Sequence, residues 1–178
     1  MQRIFTGMLL VFLDFNLDFG ASRLGLLPDF LGYIFMLRGL RELDGFSPQF
    51  GRITLYVRGM AVYWAVCYAL DLFGLSSALG VIFTFVLGLV STLFSLYISY
   101  TIIRGIIEIE EGRLQDLSAA KLLSVWKIWA VLALLTYALL FLPGLAMAAI
   151  LGSFIAGIYY LYVFNQTKNL FYRYNSDV

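Results

Sequence analysis

The chain has 178 residues, of which 62% are hydrophobic, 17% aromatic and only 13% charged, well outside the balance of soluble globular proteins, where about a quarter of residues are charged. Its formal net charge of +1 excludes the broad basic face that a phosphate backbone requires, so nucleic acid is not an expected partner. Histidine is absent, which removes Ser-His and Cys-His nucleophiles, imidazole bases and most zinc and haem sites; no catalytic set, metal centre or cofactor is expected.

A helix crossing the hydrocarbon core needs about 20 apolar residues. Six hydrophobic segments approach that length, at about residues 3–19, 26–43, 56–75, 79–105, 122–142 and 145–168. The predicted fold class is therefore all-α: an integral membrane helical bundle forming a single transmembrane domain over residues 1–178, with the lipid bilayer around it. The first two segments are short, and each is interrupted by polar residues in the half nearest the other. They are expected to form a polar-tipped hairpin that either spans or re-enters the membrane. Arg3, the apolar run after it and Phe19-Gly20-Ala21-Ser22 imitate a signal peptide, but acidic and amide residues directly after the apolar run favour retention.

Those polar residues are the candidate site. Asp14 and Asp18 are four apart and would share a helix face. Asp14 lies about 16 Å of helical rise from Arg3, and Asp29 about 13 Å from Arg38, so Asp14, Asp18 and Asp29 would converge at similar depth. A carboxylate there costs at least about 2.5 kcal/mol on insertion scales and normally faces a wet cavity or a partner. Arg23 is the nearest counter-charge. With Asn16, Tyr33 and freed backbone carbonyls, the group would make an outward-opening acidic pocket for a cation or cationic solute, a transport-related role. Simpler readings compete: Pro28-Asp29 has the composition of a helix start, and the stretch from Asp18 to Arg23 that of a turn with an internal ion pair. Neither explains Asp14.

Further along, Cys67 sits in an apolar run and is expected to be a packed thiol, and Asp71 to cap or reach the interface near the end of its segment. The connections Gly74 to Ala78 and Leu142 to Leu145 carry no charge. Arg38, Arg41, Arg52 and Arg58, then Arg104, Arg113, Lys121 and Lys127, then Lys168 and Arg173 fall in the alternate connections. With Arg3, every one of the 12 basic residues except Arg23 lies on one side, which the positive-inside bias makes cytoplasmic. Both termini are thus expected in the cytoplasm of a multi-pass plasma-membrane protein. The charged stretch from Ile106 to Leu123 reads as a solvated linker.

Small residues recur at helical spacing. Ser91, Ser95 and Ser99 lie beside Gly88 and Thr92 in the fourth segment, and Ala148, Gly152 and Ala156 in the sixth. Such ridges let helices approach, either within the chain or, through Gly88, Gly152 and Ala156, toward a membrane-protein partner or a second copy. The alternative function is accordingly an accessory or assembly protein acting by helix contacts without ligand chemistry.

The run from Arg23 to Leu40, containing Leu24-Gly25-Leu26-Leu27-Pro28-Asp29-Phe30-Leu31-Gly32-Tyr33, together with Phe12-Leu13-Asp14-Phe15-Asn16, resembles a group of small multispanning membrane proteins of clostridia-like Gram-positive bacteria. The likeness covers about the first 45 residues; it implies a bacterial plasma membrane and carries no activity. In size and span count the chain is also similar to the substrate-binding subunits of energy-coupling-factor vitamin transporters, whose motifs it lacks. The spacing Asp18-x-Gly-x-x-Arg23 resembles the start of the CDP-alcohol phosphotransferase signature, but no second acid follows Asp29 through Tyr33, so paired-metal chemistry is not implied.

Overall fold

A computed structural model describes residues 1–12, 16–19, 22–25, 29–74, 80–113 and 115–176. The elements run α1 (Gln2–Phe12), β1 (Asn16–Phe19), β2 (Ser22–Gly25), α2 (Asp29–Leu43), α3 (Pro48–Leu72), α4 (Val81–Arg113), α5 (Ala119–Ala138) and α6 (Pro143–Ser176). The fold is all-α apart from the small β-hairpin, in which β1 and β2 pair antiparallel with Asp18 opposite Arg23 and Phe19 opposite Ser22. That hairpin corrects the helical reading of residues 16–19. The alternation Asn-Leu-Asp-Phe is a period-two pattern, and the intervening Gly20-Ala21 has the Gly-X composition that two-residue hairpin loops favour.

Four helices, α3 to α6, are long and apolar enough to cross a membrane. With 11 and 15 residues, α1 and α2 rise only about 16 and 22 Å, short of a hydrocarbon core of ~30 Å. Of the six segments expected, the last four are thus long helices and the first two the short pair. On α3, α4, α5 and α6 large apolar side chains face outward, among them Val62, Ile82, Val131 and Ile155 at 64%, 81%, 64% and 67% exposure. A surface this apolar suits lipid and not water.

Local chemistry sets the ends. Ser47 caps α3, its hydroxyl accepting from the Gln49 N–H at 3.2 Å, and Pro48 occupies the first turn, where its missing N–H costs nothing. This cap starts α3 eight residues before the apolar run suggested. At its other end Gly74 takes a φ of +68°, the left-handed conformation glycine supplies freely. The start of α5 is held by a distant side chain: Glu110 Oε2 accepts from the backbone N–H of Leu117 at 2.9 Å and of Ala119 at 3.0 Å.

Neighbouring helices in the chain are neighbours in space, and α1 also meets α6, so the six helices form an up-down ring in chain order. Its walls are documented by side chains. Between α1 and α2, Arg3 pairs with Glu42; between α3 and α4, Phe50 covers Gly105, where an added Cβ would lie 2.6 Å from Phe50 Cζ. Along α1 and α6, Phe5 stacks on Phe164 and Phe12 on Phe154. Alternation of direction brings 11 of the 12 basic residues (all but Arg23) into the halves of the helices that meet at one end. There the interior is solid: Ile4, Leu40, Phe50, Ile103, Leu122 and Phe164 are almost wholly buried.

Candidate functional site

The opposite half of the ring is hollow. A partly open cavity of about 480 Å³ is lined by residues of all six helices, always from the same end: Met8 to Phe12 near the finish of α1, Asp29 to Met36 at the start of α2, Trp64 in the second half of α3, Trp129 to Tyr137 late in α5. Shortness of α1 and α2 is what positions it, since both finish and begin, respectively, at this level and are joined there through the β-hairpin.

Among the described lining residues Asp29 is the only charged one. It stands in the first turn of α2, where the helix dipole favours an acid, and it is 8% exposed. One turn on, Tyr33 is also buried, and its hydroxyl lies 2.8 Å from Ser95 Oγ on α4.

The helix α4 supplies the polar side of the wall. Thr92 Oγ1 and the Tyr137 hydroxyl of α5 share a hydrogen bond of 2.8 Å. Trp126 Nε1 donates to Ser99 Oγ at 2.8 Å, and the Tyr63 hydroxyl of α3 donates to the Leu87 carbonyl at 3.3 Å. The ridge of serines and threonines is thus a row of hydroxyls tied to aromatic residues of α2 and α5. Such bonds hold helices together where water is scarce.

The remaining wall is aromatic and sulfurous. Trp129 stacks on Tyr160 with ring centroids 5.2 Å apart and planes 10° apart, Phe12 meets the Trp129 edge at 6.5 Å, and the Tyr160 hydroxyl donates to Met8 Sδ at 3.8 Å. Trp64 completes the ring near Tyr33. Its indole N–H approaches the Tyr33 hydroxyl without reaching hydrogen-bond geometry and has no other acceptor among the described residues.

Of the six residues nominated from the sequence, Asp29 and Tyr33 line this cavity. Asn16 and Asp18 belong to β1 and Arg23 to β2, in a register that sets Asp18 across from Arg23 and Asn16 across from Gly25. Asp14 lies outside the described residues. Nothing in the sequence marks Trp64, Trp129 or Tyr160 as site residues. Ser95 and Thr92 read there only as packing residues. The spacing of Ser91, Ser95 and Ser99 was the available signal.

Of the small residues considered for an intermolecular contact, Gly88 and Gly152 sit close to α5 within the chain. An added Cβ on Gly88 would lie 3.4 Å from the Tyr137 hydroxyl and one on Gly152 3.8 Å from Leu132, while Ala156 is half-buried. Cys67 is a half-buried free thiol, and among the described residues no group of three or more His, Cys, Asp or Glu could hold a metal ion.

No protein-family model matches the chain, and comparison with curated proteins and with solved structures finds no match.

Proposed function

We propose that the chain is a small polytopic plasma-membrane protein of bacterial type that takes a cation or cationic solute into the cavity between its helices, in a transport-related role. One observation carries this reading: a buried carboxylate, Asp29, which is the charged residue among the described ones on the wall of a cavity of about 480 Å³. Ionisable groups among membrane-crossing helices are costly and mark substrate or ion pathways. The positive-inside bias supports an outward cavity and cytoplasmic termini, because the basic residues gather at the solid end of the ring. Asn16, Asp18 and Arg23 would then act at the mouth, on the hairpin that joins α1 to α2, with Asp14 leading into it.

The test is a thermal-stability screen of the purified chain in lipid nanodiscs against inorganic and organic monocations. A concentration-dependent rise in the melting temperature is expected for at least one cation, and Asp29→Asn should abolish it while leaving the unliganded protein folded. An equal rise in that variant would reject the reading.

A further inference from the structure

We infer that the occupant of this cavity is an organic ammonium ion with an apolar, ring-sized body and a hydrogen-bond acceptor, and not a metal cation. The inference rests on the cationic-solute reading above and adds the chemical class of the solute.

Four observations point the same way. Among the described lining residues Asp29 is the one carboxylate, and a carboxylate supplies at most two oxygens, whereas hard metal cations need six or more oxygen ligands or retained water. The other walls are mainly apolar and aromatic, with Trp64, Trp129, Tyr137 and Tyr160 among the lining residues. Aromatic faces attract ammonium groups, and recognition of quaternary ammonium ions by aromatic cages uses this attraction; they offer little to a dehydrated metal ion.

Size and the spare donor agree. A volume of about 480 Å³ lies in the range of ~300–1,000 Å³ typical of pockets for organic ligands, so a metal ion would leave most of it unfilled. The Trp64 indole N–H is buried in the wall beside the Tyr33 hydroxyl and makes no hydrogen bond of regular geometry among the described residues. An unsatisfied buried donor is costly, and an ether, hydroxyl or carbonyl oxygen on the solute satisfies it. A metal cation cannot accept a hydrogen bond.

The experiment titrates the full chain in nanodiscs by calorimetry with phenoxyethyltrimethylammonium, its carbon isostere (3,3-dimethylbutoxy)benzene, its ether-free analogue 3-phenylpropyltrimethylammonium, and sodium, potassium, magnesium and calcium chlorides. The phenoxyethyl ammonium should bind at least about tenfold more tightly than the neutral isostere and about fivefold more tightly than the ether-free analogue. Trp64→Phe, which keeps a ring and removes the N–H, should erase the second difference and keep the first; persistence of the ether preference in that variant overturns the assignment of Trp64. Binding of the metal chlorides with none of the ammonium probes overturns this inference and leaves the cationic-solute reading standing. Equal binding of charged and neutral isosteres, or no binding by any cation, overturns that reading as well.

Discussion

Gly32 of α2 faces Gly7 of α1 so closely that a Cβ added to Gly32 would lie 2.8 Å from the Gly7 carbonyl oxygen. The same Cβ would lie 2.7 Å from Val11 Cγ2, so the added methyl meets the backbone of α1 as well as a β-branched side chain with little freedom to yield. Gly32→Ala should force α1 away from α2 and destabilise the protein by about 1–3 kcal/mol, read as a lower melting temperature in detergent. Gly59, in the interior of α3, has open space where its Cβ would go. Gly59→Ala should therefore leave stability unchanged or raise it by up to about 1 kcal/mol.

The Tyr33–Ser95 hydrogen bond joins helices that are not neighbours in the ring, reaching across the cavity wall from α2 to α4. Tyr33→Phe and Ser95→Ala should each destabilise, and the double variant should lose less than the sum. A double-mutant cycle is expected to give a coupling of about 0.6 kcal/mol, the average for such bonds in membrane proteins. Strict additivity would mean that the bond contributes nothing in the bilayer.

At the solid end Glu110 holds the first turn of α5 through two backbone N–H groups. Glu110→Ala should cost about 0.5–2 kcal/mol, the range for lost helix caps, with amide exchange accelerated at Leu117 and Ala119. The neighbouring Ser118 has a φ of 58°, a conformation disfavoured for residues with a Cβ by roughly 1–2 kcal/mol. Ser118→Gly is expected to raise the melting temperature, partly offset by the added freedom of the unfolded chain.

The cavity wall has a sensitive point at Gly157. A Cβ there would overlap the Phe12 ring and lie 3.1 Å from Trp129 Nε1, so Gly157→Ala should move Phe12 off its stack with Phe154, whose ring centroid is 5.7 Å away. Phe12 lines the cavity. Affinity for the phenoxyethyl ammonium probe should fall about tenfold or more with helical content retained by circular dichroism. A normal affinity would place the solute away from the α1–α6 wall.

Charge and apolar length made the long helices and the segregation of basic residues legible, because both depend on composition summed over many positions. Asp29 and Tyr33 were legible too, as polar residues inside an apolar run. The hairpin was not: two strands of four residues flanked by apolar runs give too few periods to stand out from a helix. The early start of α3 was missed for a different reason, since Ser47-Pro48 is a capping signal outside the apolar window. Trp64, Trp129 and Tyr160 could not be joined to Asp29 from the sequence at all, because their proximity arises from closure of the ring and each is an ordinary membrane-helix residue by itself.

Closure has a consequence for how the protein is made. The seam of the ring runs between its first and last helices, where Phe5 meets Phe164 and Met8 meets the Tyr160 hydroxyl. Synthesis proceeds from the N-terminus, so α1 emerges long before the surface it packs against exists. It is also too short to hold a transmembrane position alone. During elongation α1 has only α2 to lean on, and the cavity acquires its final wall when α6 is inserted; a ribosome stalled within α6 would leave an open horseshoe in place of a closed cavity.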